Sequence, residues 1–226
     1  DPKSVEEGAN VNLYYNNKAD ITVEIEEANF YPEDVKLDVT KNGEKVESPE
    51  IKWTDGIKDK HIGKFTLSGD GDYSFTLNYA DRSGNAMTEY KSQNMYIDTT
   101  APTVTVDWSS KAEAKNSKYY SEERTATITV VDHNFLARNF VSTITAKDVT
   151  GKDISEAVDV KAIINYLSDS ESWTTNGDTH TAVVSFSKDK DKDAEYTFDF
   201  KFSDIVGNEA EKYKPDNFVV DHTAPG

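Results

Sequence analysis

Apolar and polar residues alternate with a period of two through most of this chain. Ile21, Val23 and Ile25 alternate with Thr22 and Glu24. Tyr73, Phe75, Leu77 and Tyr79 alternate with Ser74, Thr76 and Asn78. Tyr196, Phe198, Phe200 and Phe202 repeat that pattern with larger rings, and 104–108, 127–131 and 181–186 add further segments. This periodicity places every second side chain on one face and marks half-buried strands. Turn chemistry separates the segments: Asn42-Gly43, Asp55-Gly56, Gly69 to Gly71, and Asn176-Gly177. Pro32–Val35 and Ala137–Phe140 read as short helical turns. Ile154–Leu167 lacks clear alternation; within it, Val158–Tyr166 reads as a strand.

The pattern occurs twice. Asp81, Gly84, Asn85, Tyr90, Asn94, Asp98, Ala101 and Pro102 reappear as Asp204, Gly207, Asn208, Tyr213, Asn217, Asp221, Ala224 and Pro225, all 123 positions later. Upstream, Tyr14-Tyr15, Ile21–Ile25 and Asn29-Phe30 match Tyr119-Tyr120, Ala126–Val130 and Asn134-Phe135 at a shift of 105. Trp53 pairs with Trp173, and His61 with His180, so the second copy carries an insertion between Phe140 and Trp173 and a smaller one near Lys188–Asp193. A long fixed period is the mark of a tandem array. The expected organisation is therefore two domains, 1–100 and 101–226, each of ordinary domain size. Linker-like sequence at Asp1-Pro2 and at Ala224–Gly226 reads as a piece of a longer array.

Short strands and frequent turns in units of this size predict an all-β fold of two tandem immunoglobulin-like β-sandwich domains. The motif order resembles the bacterial Ig-like repeats of Gram-positive cell-surface proteins. The residues carrying the likeness are Tyr119-Tyr120 followed by a strand and Asn134-Phe135, then Trp173–Thr181, Asp70–Phe75, and the duplicated Asp-x-x-Gly-Asn and Asp-x-Thr-Ala-Pro motifs. Repeat one departs at Lys60–Gly63, where the stretch around His180 has no close match. The resemblance implies an extracellular stalk or adhesion module, on the cell surface or secreted. Its partners would be neighbouring Ig-like repeats, with host protein or glycan as further candidates, and the chain itself would be a monomer.

Charge narrows the partners. With 42 acidic against 25 basic residues the net charge is −17, which disfavours nucleic acid and anionic membranes. No apolar run reaches the roughly 20 residues of a membrane helix. The chain has no Cys, which removes disulfides, thiolate metal sites and cysteine catalysis.

Candidate chemistry is sparse. The four His are scattered without metal-ligand spacing. No strained nucleophile turn occurs, and carboxylates are too abundant for any pair to stand out as an acid–base couple. The expectation is a non-enzyme with no required cofactor. One metal hypothesis survives. In an Ig sandwich the B–C and F–G loops share one pole. The linker residue Asp98, the B–C residues Asp132 and Asn134, and the F–G residues Asp204 and Asn208 would then form an oxygen-rich set suited to calcium, against the simpler reading of Asp204–Asn208 and Asp81–Asn85 as capped turns. Trp53 and Trp173 read as core residues, with carbohydrate stacking as the alternative, and Trp108 as a filler between domains. A Lys–Asn isopeptide crosslink would suit a Cys-free surface domain, but no pair stands out. The functional expectation is a spacer that presents another module. The alternatives are an adhesion or carbohydrate-binding module and accessory domains of a secreted glycan-active enzyme.

Overall fold

The computed structural model describes residues 3–7, 10–110, 118–187 and 192–224. Most of the second insertion, 188–191, and the terminal Asp1-Pro2 and Pro225-Gly226 lie outside the described residues. The chain divides into two compact units, Asp1–Thr100 and Ala101–Gly226.

Domain 1 contains β1 (Lys3–Glu7), β2 (Asn10–Tyr15), β3 (Ala19–Glu26), β4 (Lys36–Lys41), β5 (Glu44–Val46), β6 (Lys52–Asp55), β7 (Lys60–Leu67), β8 (Gly71–Asn78), β9 (Tyr90–Lys91) and β10 (Met95–Ile97). One sheet runs β1-β2-β10-β8-β4-β5, with β9 on β8; the other runs β3-β7-β6. Alternation decides which side chains enter the space between them. Tyr73, Phe75 and Leu77 of β8 are buried, and so are Phe65 and Leu67 of β7. Asn42 and Gly43, both at positive φ, close the β4–β5 hairpin. That is the backbone a two-residue hairpin needs to match strand twist.

Domain 2 contains β11 (Thr103–Ser110), β12 (Tyr119–Tyr120), β13 (Arg124–Val131), β14 (Val141–Lys147), α1 (Val160–Ser168), β15 (Thr174–Asn176), β16 (Thr179–Phe186), β17 (Ala194–Lys201) and β18 (Asp216–Val220). Its sheets run β11-β13-β16-β15 and β12-β18-β17-β14. This is an all-β sandwich of the immunoglobulin-like kind in both domains. Single 3-10 turns at Pro32–Asp34 and Ala137–Asn139 stand where short helical turns are read from the sequence.

Two expectations need correction. Val158–Tyr166 is not a strand; α1 covers Val160–Ser168. Val160, Ile163, Ile164 and Leu167 recur at helical spacing, and all four join the domain core. Trp108 is not an interdomain filler. It packs on Phe186, Phe198 and Phe218 of its own domain, with ring centroids 5.1–5.7 Å apart. Its indole N–H donates to Asp216 (2.8 Å), and the Arg124 guanidinium lies 4.1 Å above its ring. Burial in this stack pushes the Arg124 pKa down.

Core continuity differs between the copies. Among the described residues, the buried core of domain 2 forms one cluster running from Ala126 to Val220, whereas that of domain 1 forms two smaller ones, around Phe75 and around Leu77. The insertion explains much of this, because α1 adds Val160 and Leu167 to the buried set.

Candidate functional site

The duplicated Tyr-Tyr and closing Asp-x-Thr-Ala-Pro motifs meet where the second and last strands of each domain lie side by side. The Tyr-Tyr pairs end β2 and form β12: β2 pairs in parallel with β10 through Leu13↔Met95, Tyr14↔Tyr96 and Tyr15↔Ile97. β12 pairs in parallel with β18 through Tyr119↔Val219 and Tyr120↔Val220. The next amide closes each seam: Asp98 N–H donates to the Tyr15 carbonyl (3.0 Å), and Asp221 N–H to that of Tyr120 (2.9 Å).

The exit segment is then clamped to its own domain by a second aspartate. In domain 1, Asp70 accepts from Thr99 N–H (2.8 Å), Thr99 Oγ1 (2.7 Å) and Thr100 Oγ1 (2.6 Å). In domain 2, Asp193 accepts from His222 N–H (2.6 Å) and Thr223 Oγ1 (2.5 Å). The Thr100 hydroxyl, aided by Thr99, holds the Asp70 pKa below its ordinary value. Burial pushes Asp193 up, but the bonds from Thr223 and His222 outweigh it and leave that carboxylate low as well. Sequence reasoning missed both clamps, although Asp70 and Asp193 obey the same shift of 123 as the turns downstream.

A second duplicated cluster unites the Asn-Phe, Trp and His motifs. Phe30 stacks on His61 (4.3 Å) and meets Trp53 (4.8 Å). Phe135 stacks on His180 (4.1 Å) and meets Trp173 (5.0 Å). His180 is buried, and its Nε2 faces the Asp132 carbonyl (3.1 Å). A carbonyl only accepts, so Nε2 carries the proton. Trp173 is buried and its indole N–H donates to the Leu167 carbonyl (3.0 Å). It thereby satisfies one of the carbonyls left over at the end of α1. Trp53 has no helix to meet and remains half-buried.

The proposed metal ligands fall as follows. Asp204 is fully buried and accepts from Gly207 N–H (2.6 Å), Asn208 N–H (2.8 Å) and Asn208 Nδ2 (2.7 Å). Asp81 makes the equivalent bonds to Asn85 at the surface. In domain 2 the B–C and F–G segments do come together. Ile205 N–H donates to the Asn134 carbonyl (3.1 Å), and carboxylate oxygens of Asp132 and Asp204 lie within 4.8 Å. Asp98 sits at the end of domain 1, where its side chain accepts from Thr100 N–H (2.9 Å). Among the described residues no lysine is buried, so no candidate isopeptide pair emerges.

A groove of about 460 Å³ lies beside α1, lined by Val158, Asp159, Ile163, Tyr166, Val183 and Ser185. Tyr166 and Val183 are exposed along it. Among the described residues no helix is long and apolar enough to cross a membrane.

The strand order and the duplicated seams define a tandem of immunoglobulin-like domains. No protein-family profile and no curated protein matches the chain. Among solved structures it is similar to bovine butyrophilin, at 10% identity over 96% of this chain and 97% of that one, with a TM-score of 0.33. An I-band fragment of titin shows 10% identity over 97% of this chain and 62% of that one, with a TM-score of 0.30. The tandem Ig repeats of Dlar show 11% identity over 97% of both chains, with a TM-score of 0.21. At these scores the likenesses add nothing to what the strand pairing already supplies.

Proposed function

We propose that this chain is a load-bearing spacer of an extracellular surface protein, presenting another module away from the cell. The parallel pairing of the second strand with the last one in each domain, β2 with β10 and β12 with β18, carries this reading. Tension that reaches such a pair, past β1 or β11, pulls its two strands in opposite directions. Its hydrogen bonds are then sheared together rather than opened one at a time. The aspartate clamps add bonds at the point where force enters from the following segment. Burial of Trp173 and the enclosure of Trp108 and Trp53 among aromatic neighbours favour packing over a sugar-stacking platform.

The test is force-extension of the whole chain. Two unfolding events are expected, one per domain, each releasing about 3.3–3.6 Å per residue at full extension. A single event, or yielding without a resolvable force, would overturn the spacer reading. A second reading, adhesion to glycan or host protein, rests on the groove beside α1 and its exposed Tyr166. Glycan-array binding abolished by Tyr166→Ala, with stability unchanged, would favour it, and would leave open a place beside a glycan-active enzyme.

Calcium belongs to the proposal as a stiffening element. Two buried carboxylates within 4.8 Å repel unless a cation or a proton lies between them. Asp132, Asn134, Asp204 and Asn208 supply the oxygen chemistry calcium takes; Asp98 enters the set from the sequence argument. Three N–H donors already serve Asp204, so the turn itself needs no ion. A calcium-raised melting temperature, reversed by chelator and lost in Asp132→Asn, is the expected result; identical melting removes the ion from the account.

A further inference from the structure

The two domains differ at one strand edge. In domain 2, β11 pairs with β13 along its whole length, from Thr103↔Val131 to Ser110↔Arg124. β13 is therefore hydrogen-bonded on both sides, and its inward residues Ala126, Ile128 and Val130 are fully buried. In domain 1 the equivalent strand is β3, with Ile21, Val23 and Ile25 at the matching positions. Among the described residues it pairs with β7 alone, because β1 lies on β2 in the other sheet. Ile21 and Val23 are consequently only half-buried, and Thr22 is exposed where its counterpart Thr127 is partly covered. At eight residues β3 is also a long edge; β5 and β6 at other edges of this domain have three and four. Long unprotected edges invite pairing with another chain.

We propose that the outer edge of β3 is a strand-acceptor site whose occupant is an extended peptide of a partner, with apolar residues alternating with Lys or Arg. Backbone hydrogen bonds would supply the attachment, and inward apolar side chains would cover Ile21 and Val23, as β11 covers its neighbours in domain 2. Charge selects the occupant. The solvent face of β3 presents Asp20, Glu24 and Glu26, all exposed; among the described residues the lysines paired to them are Lys18 and Lys60. Opposite charges across a strand pair attract and like charges oppose pairing. The chain's own β1 offers a single apolar residue, Val5, and ends in Glu6 and Glu7, which suits this edge poorly. A second copy would set the acidic face of one β3 against another, in a chain of net charge −17.

The probe is an octapeptide of residues 103–110, the strand that fills this edge in domain 2, carrying Thr103→Lys, Thr105→Lys and Asp107→Lys. Titrated into the full chain, it should give saturable amide shifts confined to 19–26 and neighbouring β7, and protect β3 amides from exchange. The same peptide with Glu at those three positions should bind at least about tenfold more weakly. Asp20→Lys with Glu24→Lys in the protein should reverse the preference; both positions are exposed, so the fold should persist. Absence of saturable shifts, equal binding of the Lys and Glu peptides, or shifts confined to β5 or β6 would overturn the proposal. So would concentration-dependent dimerisation mapped to β3, which would assign the edge to a second copy.

Discussion

Replacing Trp173 with Ala and, separately, Trp53 with Ala perturbs the same place in two copies of one fold. The environments differ measurably. Trp173 is buried against Phe135 and Phe140 and bonds the Leu167 carbonyl. Removing a buried Trp costs about 3–5 kcal/mol through lost transfer energy and the cavity left behind. Leaving the Leu167 carbonyl without its donor adds about 1–3 kcal/mol. The sum, about 4–8 kcal/mol, is a large part of the roughly 5–15 kcal/mol that holds a domain folded. Trp53 is half-buried, packs chiefly on Phe30, and caps no helix. Its truncation should cost about 2 kcal/mol. The assay is thermal unfolding followed by circular dichroism and calorimetry, with domain 1 assigned to the lower transition because its core is split. Trp173→Ala should lower the domain 2 transition by roughly 15–30 °C and spare the other. Trp173→Phe, which keeps a ring and loses the N–H, should fall between native and Ala. Equal losses at the two positions, or a loss under about 1 kcal/mol at Trp173, would refute the reasoning.

Other expectations follow from the same geometry. Gly63→Ala should destabilise domain 1 alone by about 1–3 kcal/mol, since a Cβ there would meet Ile51 at 2.7 Å and Trp53 at 2.9 Å; calorimetry showing no change would contradict the packing. Asp70→Asn and Asp193→Asn should each lower the stability of their own domain at neutral pH. Both carboxylates have folded pKa values below the ordinary 3.8. Their contribution is complete above that value and is lost as pH falls through the lower folded one. The gap between native and variant chains should therefore be constant from pH 7 to about 5 and close below about 4; a gap that widens in acid would reverse the assignment. Asp204→Ala should cost more than Asp81→Ala in denaturant titration, because the first removes a fully buried carboxylate and its part-buried hydrogen bonds, whereas those of Asp81 are exposed.

Much of this architecture can be read from periodicity. Alternation in β3, β8 and β17 reports strands because each has one face in a core, and the shift of 123 reports the duplication. What escaped reading is non-local. The Tyr-Tyr pairs give no local sign that they run parallel to the final strand of their domain. His61 and His180 look like strand-surface residues until the chain brings Phe30 and Phe135 onto their rings. Trp108 has no counterpart in repeat one, and neither does the stacked Arg124, whose matching position is Ala19. The misreading of α1 has a local cause. Its Val and Ile residues favour strands, and only their spacing, together with the Trp173 bond to Leu167, favours the helix. Of the candidate metal ligands, the proximity of Asp132 to Asp204 could be read from loop topology; the bonds that already satisfy Asp204 could not.

The central claim is that each domain meets tension through a parallel seam. Because the chain has no Cys, engineered cysteine pairs give unambiguous handles for single-molecule pulling on domain 2. Handles beyond β12 and β18 load the Tyr119↔Val219 and Tyr120↔Val220 seam in shear. Handles at Glu195 and Val219, paired across β17 and β18, pull across the strands and peel their bonds in succession. The account predicts a clearly higher unfolding force in the first geometry, reduced by Asp193→Ala. Equal forces in both geometries would contradict it.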